Sequence, residues 1–173
     1  MLGIKDKYIN IFIVDDDKLM LKILSHKFKT TTNYNIYTFI NGEDFLNFLN
    51  RNKFHKKSIS LLILDYQLQT GGNKARNGIE ILKFVKELYP DMHIIMHSST
   101  EDINIHSKAI ELGAKTFIKK NENSFLRINN QLQSIISDTI IERKRNTSIK
   151  TQYIFLGVLF LFVLMMIVHF IVD

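Results

Sequence analysis

Five short apolar runs, at 9–14, 35–40, 59–64, 93–97 and 115–119, alternate along the chain with segments whose apolar residues recur every three or four positions. Continuous runs of Ile, Leu, Val and Phe suit parallel strands buried on both faces, and the helical segments between them supply the crossovers. Helices are predicted over 17–30, 43–51, 79–88, 101–112 and from 123 to about 145. In the first, Leu19, Ile23 and Lys27 with Met20, Leu24 and Phe28 make the inward stripe, and Asp17 is the expected N-cap. In the second, Phe45, Leu46, Phe48 and Leu49 face inward after the Asn41-Gly42 turn. In the third, Ile79, Leu82, Val85 and Leu88 recur at spacing three, with Pro90 just beyond, and Gly113 ends the fourth. Segment 67–77 carries Gly71-Gly72 and no apolar period, so it is a loop. Strands alternating with amphipathic helices predict an α/β fold, a doubly wound five-stranded parallel sheet.

The pattern changes at the end of the chain. Residues 153–172 read YIFLGVLFLFVLMMIVHFIV, without one formally charged side chain and apolar all round apart from His169. Twenty residues at 1.5 Å rise cover about 30 Å, the thickness of a bilayer's hydrocarbon core. A buried core helix keeps some polar face, so a transmembrane helix is expected. Arg143, Lys144, Arg145 and Lys150 precede the span and only Asp173 follows it, which by the positive-inside rule leaves the N-terminal part in the cytoplasm. The expected organisation is a domain at 8–142, a basic juxtamembrane linker at 143–152 and a single-pass tail anchor at 153–172 in the cytoplasmic membrane.

Composition adjusts this picture in three places. At 173 residues and 46% hydrophobic content the chain has room for one packed domain and a small appendage. There is no cysteine, which excludes disulfides, thiolate metal sites and thiol nucleophiles. The net charge of +6 raises nucleic acid as a partner, but the lysines are scattered among Ile and Asn and form no basic recognition helix. No nucleic-acid partner is expected. The opening MLGIKDKYINIFIVDDD has only a short apolar stretch ended by three acids, so no secretory signal is expected. His26, His55, His93, His97 and His106 show no metal-ligand spacing and read as surface or strand residues.

The polar residues that end the apolar runs carry the chemistry. Asp15 and Asp16 follow the first run, Asp65 the third, Ser98 the fourth and Lys120 the fifth. Carboxyl ends of parallel strands share one edge, and open α/β sheets bind ligands just outside it. Carboxylates packed together resist ionising unless a cation neutralises them, and hard oxygen ligands suit Mg²⁺. A phosphoryl group fits metal, hydroxyl and ammonium together. Taken singly, each residue has an ordinary use. Acids after a strand often cap the next helix, Ser98 with Ser99 and Thr100 can cap a helix starting near Glu101, and Lys120 adjoins another lysine.

Residues 8 to 140 resemble the receiver domain of two-component response regulators. IFIVDDD looks like that family's first strand with its acidic pair, INGEDFL like its second strand-to-helix turn, and LLILD like the phosphoacceptor strand. YPDMHIIMHSS is similar to the fourth strand with its hydroxyl, and AIELGAKTFIKK to the final aromatic and lysine signature. The resemblance implies a flavodoxin-like receiver fold with Asp65 as phosphoacceptor. It implies Mg²⁺ on Asp15, Asp16, Asp65 and the backbone carbonyl of Gln67, and phosphoryl binding by Ser98 and Lys120. It further implies a switch aromatic at Phe117 and tuning of water access, hence of dephosphorylation, by Gln67 and Thr100. The implied partner is a sensor histidine kinase or phosphotransfer protein, and the only catalysis implied is the domain's own aspartyl phosphorylation and dephosphorylation. With no output domain following, output is expected by protein contact, including a homodimer through the last helix. Phe117 is equally plausible as static core.

Two positions depart from the family pattern. Asn121 stands where proline usually follows the lysine, which removes the residue that makes a cis peptide inexpensive there. The loop after Asp65 is QLQTGGNKARNG in place of a proline-containing turn, and Gly78 comes 13 positions after Asp65. Two rival readings stay open. A degenerate receiver would serve only as a membrane scaffold, and Asp15-Asp16-Asp17 also spells the D-x-D of haloacid-dehalogenase-like phosphatases, although no adjacent acidic pair follows Lys120 before the span.

Overall fold

A computed structural model of the protein describes residues 8–55, 57–68 and 77–172. The described residues fall into two compact units, the first ending at Ile135 and the second beginning at Ile136. In the first, β1 (Ile9–Val14), α1 (Lys18–Thr31), β2 (Asn35–Phe39), α2 (Gly42–Arg51) and β3 (Ile59–Leu64) come in that order. They are followed by α3 (Gly78–Leu88), β4 (His93–Ser98), α4 (Ile103–Glu111), β5 (Thr116–Lys119) and the start of α5 (Ser124–Val172). The strands form one sheet in the order β2-β1-β3-β4-β5, every pairing parallel. This is the doubly wound, flavodoxin-like order, in which the sequence of strands reverses beside β1.

The three inner strands are apolar on both faces because both faces are covered. Phe12, Val14, Leu62, Leu64, Ile94 and Met96 pack with the buried residues of α2 and α3 and with Ala109 of α4. On that side Phe12 anchors an aromatic cluster: its ring lies 5.2 Å from Tyr37, 5.7 Å from Phe45 and 5.4 Å from Phe54. Rings offset and tilted in this way add to the burial term. The alternate strand residues, among them Ile11, Ile13, Leu61, Ile63 and Ile95, are buried on the opposite side, as the period-two pleat requires. There α1 meets the start of α5, where Phe28 and Phe125 rings lie 5.2 Å apart and the Lys27 ammonium sits 4.8 Å over Phe125.

Local signals set the helix ends. Asp17 caps α1 by accepting from the Leu19 and Met20 N–H groups, as expected. Asn77 and Glu80 close a reciprocal capping box at α3. Gly113 closes α4 at φ 97°, a left-handed value that a side chain would strain. Gly78 matters more for the site, because a Cβ there would stand 2.1 Å from the Asp65 carbonyl oxygen. The first turn of α3 therefore lies directly against the backbone of the third strand's end.

Several details differ from the sequence reading. In α1 the buried stripe is Leu21, Leu24 and Phe28, at the i, i+3, i+7 spacing, while Leu19 and Ile23 are 64% and 39% exposed. In α3 the buried residues are Ile81, Leu82 and Val85, and Leu88 is exposed. The N-cap of α4 is Asp102, not one of Ser98 to Thr100. The last helix, expected to end near 145, continues without a break through 146–152. The loop expected over 67–77 lies mostly outside the described residues.

The second unit is helical from Ile136 to Val172. Among the described residues one helix is long and apolar enough to cross a membrane by length and composition, and its most apolar window is wholly unburied within the protein.

Candidate functional site

The carboxyl edge of the sheet is built by backbone pairing that runs one residue past the strand ends. Asp15 N–H donates to the Phe39 carbonyl, Asp65 N–H to the Val14 carbonyl and Lys120 N–H to the Ser98 carbonyl, at 3.1, 2.9 and 2.9 Å. Each polar residue is thereby held in register with the neighbouring strand before its side chain makes any contact. The chain then turns away, and the side chains of Asp15, Asp65 and Lys120 converge.

Lys120 Nζ lies 2.7 Å from Asp15 Oδ2 and 2.6 Å from Asp65 Oδ2, bridging the two acids. The remaining oxygens are also engaged: Asp17 N–H donates to Asp15 Oδ1 at 3.0 Å and Gln67 N–H to Asp65 Oδ1 at 3.2 Å. Asp15 and Asp65 are 2% and 4% exposed. Burial pushes the Asp15 carboxyl up to about 6, against the opposing pull of Lys120. Burial alone would pull the Lys120 ammonium down, but its hydrogen bonds to Asp15 and Asp65 and their charges hold it above its ordinary value. Lys120 is therefore a fixed cation at neutral pH.

Asp15, Asp16 and Asp65 each offer a carboxylate oxygen, and these oxygens all lie within 4.8 Å of one another. Three hard, anionic donors so close suit a divalent cation with oxygen preference, and the raised Asp15 value shows a charge that the protein alone offsets only in part. The residues fit Mg²⁺. A cleft of about 420 Å³ opens over them, lined by Asp16, Asp17, Met20, Asp65, Gln67, Ser99, Lys120 and Asn121.

The expected residues divide into two groups. Asp16, Asp65, Gln67 and Lys120 line the cleft. Asp15 lies beneath it as partner of Lys120. Ser98 is fully buried, and its hydroxyl oxygen accepts from the Thr100 N–H at 3.4 Å. Thr100 in turn accepts from Asp102 N–H and so belongs to the turn into α4. Phe117 packs against the core on the side of α4, its ring 5.0 Å from that of His106. Glu101, in the turn from β4 to α4, pairs with Lys119 at the surface. Sequence reasoning missed Ser99 and Met20 as lining residues and read Asp17 only as a helix cap. For Ser99 the signal was its adjacency to Ser98, and for Met20 its position just after the Asp17 cap.

His97 was expected to be a surface or strand residue and is a strand residue in the core. It is 1% exposed, and among the described residues neither ring nitrogen has a hydrogen-bond partner. Burial, and secondarily the charge of Lys120, lowers it to about 4, so the ring is neutral at pH 7.

Residues 11–129 match the response regulator receiver domain. A protein-glutamate methylesterase/protein-glutamine glutaminase of Clostridium acetobutylicum is 32% identical over 120 residues, 68% of this chain but only 32% of that protein. The chain thus spans about a third of that relative's length. Among solved structures, a BeF3-activated DrrB receiver domain is 29% identical with a TM-score of 0.60, covering 74% of this chain and 97% of that one. A CheY-like receiver from Methanospirillum hungatei, 20% identical with a TM-score of 0.66 over 77% of this chain and 97% of that one, shares the fold.

Proposed function

Because the chain belongs to the response regulator receiver domain family, the receiver component of two-component signalling, we propose that Asp65 accepts a phosphoryl group from the phosphohistidine of a sensor kinase or phosphotransfer protein. A carboxylate oxygen of Asp65 attacks phosphorus, the P–N bond of the donor breaks with its electron pair returning to the imidazole, and an acyl phosphate forms. Asp15, Asp16, Asp65 and the Gln67 carbonyl would hold Mg²⁺, which offsets charge on the transferring group. Lys120, charged and aimed by two carboxylates, pairs with a phosphoryl oxygen. Ser98 leaves its bond to the Thr100 N–H to donate to another oxygen, and Phe117 follows into the space released, which changes the surface beside α4. Gln67 and Thr100 set how water reaches the acyl phosphate. The methylesterase activity named for the Clostridium relative concerns a protein of which this chain matches 32%, and it is not carried over.

The observation that carries this reading is the single cluster formed by three acids within 4.8 Å and a lysine 2.6 Å from Asp65. The full chain in detergent, given Mg²⁺ and a small acyl-phosphate donor, is expected to gain one phosphoryl group by mass, and Asp65→Asn to gain none. Phosphorylation that survives Asp65→Asn, or none from donor or kinase, overturns it in favour of another acceptor or of a scaffold.

The second part of the reading is a tether. Residues 153–172 cross the cytoplasmic membrane once, the basic segment 143–152 stays inside, and the receiver works on partners in the same membrane, where tethering raises their effective concentration. Output is by protein contact, with pairing of two copies through α5 as one form of it. The exposure of Tyr153, Phe155, Phe160 and Met165, at 66–72%, supports the tether. In sealed cytoplasm-out vesicles the receiver is expected to be cut by added protease; a protected receiver would reverse the topology.

A further inference from the structure

Asn121 occupies the position after the cleft lysine and lines the same cleft as Asp65, Ser99 and Lys120. Its placement is fixed at two atoms. The side-chain Oδ1 accepts from the Asn123 N–H at 3.1 Å, and the backbone carbonyl accepts from the Ser124 N–H at 3.0 Å. Because Asn123 N–H is a donor, the side-chain atom facing it must be the oxygen. The carboxamide cannot be flipped, and its other end is necessarily the NH2 group. Among the described residues that NH2 has no acceptor. Asn121 thus brings two donor hydrogens to a residue that lines the same cleft as Asp65.

We propose that Asn121 Nδ2 is a hydrogen-bond donor to the phosphoryl group carried by Asp65, acting beside Lys120. The inference rests on Asp65 being the phosphoacceptor. A phosphoryl group brings three strong acceptor oxygens into the cleft. Lys120 supplies a charge that is already shared between Asp15 and Asp65, so a neutral donor next to it adds a bond without adding charge. Proline at this position would have neither the side-chain amide nor the turn to Asn123. In this chain the position contributes to ligand recognition, and Asn121 is a binding residue for the phosphorylated state as well as part of the turn into α5.

The two roles separate in a pair of variants. Asn121→Ala removes both the turn acceptor and the donor, whereas Asn121→Ser keeps a hydroxyl oxygen able to accept from Asn123 N–H but is too short to reach into the cleft. Using the full chain in detergent with Mg²⁺, beryllofluoride serves as the phosphoryl mimic. Both variants are expected to bind it about tenfold more weakly than wild type, while Asn121→Ser keeps the wild-type melting temperature and both keep the wild-type Mg²⁺ affinity measured without beryllofluoride. In a spectrum of the ¹⁵N-labelled chain, the pair of side-chain amide peaks that Asn121→Ala removes is expected to shift on adding beryllofluoride. Wild-type binding with both variants within twofold of it, or affinity that Asn121→Ser restores along with the melting temperature, overturns the donor role alone. A wild-type chain that does not bind beryllofluoride overturns the phosphoacceptor reading, and this one with it.

Discussion

The sheet unit and the terminal helix use the same apolar side chains in opposite ways. In the first, Phe12, Phe28 and Phe45 are wholly buried, and even the polar Asp15 and Ser98 are taken out of water. In the second, Phe155, Leu161 and Met165 are 66–70% exposed, with no protein surface over them. Within the protein the same side-chain types are therefore enclosed in one region and left uncovered in the other, which is the contrast the proposed membrane tether would account for. Sequence hydrophobicity alone does not distinguish them; period and length do. Runs of four to six apolar residues separated by polar turns become strands, whereas twenty without interruption exceed any strand and most core helices.

The sharpest way to break the comparison is to remove one side of it. A chain ending at residue 152 is expected to move wholly from the membrane to the soluble fraction, and the full chain to resist extraction by high salt and alkaline carbonate. A truncated chain that still sediments with membranes would locate the membrane contact elsewhere.

The next effect is within the core. Phe12→Ala removes the ring at the centre of the aromatic cluster and is expected to cost about 3–5 kcal/mol. Phe155→Ala, deleting the same ring from the exposed helix, should leave the denaturant midpoint of the sheet unit unchanged. The near-ultraviolet signal of Tyr37, stacked on Phe12, reports the first unit. Equal losses for the two variants would mean that the terminal helix is covered by protein after all.

His97 tests the same contrast with a polar group. Buried, with no hydrogen-bond partner for its ring among the described residues, it is held neutral with its value lowered to about 4. The unfolded chain has an ordinary histidine and binds the proton more readily, so the fold loses stability as pH falls from about 6.5 toward 4 and loses nothing further below that. The loss is roughly 3 kcal/mol at full protonation. His97→Leu, close in volume and with no orphaned nitrogen, is expected to remove this acid loss between pH 7 and 4 and to raise stability slightly at pH 7. An acid profile identical to wild type would show that the ring has a proton acceptor.

The legible and illegible parts of the fold follow from how each is determined. Strands β1, β3 and β4 were readable because continuous burial keeps nearly every residue apolar, with Asn10, His97 and Ser98 the buried polar exceptions among the described residues, and the strand-end acids and lysine because the sheet edge is fixed once the strands are. In α1 the reading failed by one stripe. Met20, Leu21, Leu24 and Phe28 compete with Leu19 and Ile23 for the inward face, and the turn at Asp17 decides among them by setting where the helix begins. Met20 is then carried to the cleft. Ser98 carries the phosphoryl-binding expectation by resemblance and Ser99 does not, yet it is Ser99 that lines the cleft: alternation ends where β4 ends, so the placement depends on the turn to Asp102. The His97 position was readable in principle, since a residue between Met96 and Ser98 in a strand covered on both sides must be buried. Its type argued for the surface, and the strand prevailed.

The smallest effect concerns the acids that the core encloses without neutralising fully. Asp15 sits at about 6 because burial opposes its charge more than Lys120 supports it. Mg²⁺ binding needs the ionised carboxylate, so each bound ion displaces a proton when the pH is below that value. Apparent Mg²⁺ affinity is therefore expected to be nearly constant from pH 8 to 7 and to fall about tenfold between pH 7 and 5, a change of about 1.4 kcal/mol. Titrating Mg²⁺ calorimetrically in two buffers of different ionisation enthalpy at pH 6 measures the released protons directly. Lys120→Met leaves Asp15 with burial and no cation beside it, which should move the fall in affinity to higher pH. A curve that stays at the wild-type position in Lys120→Met would mean that the ammonium does not support Asp15, despite their separation of 2.7 Å.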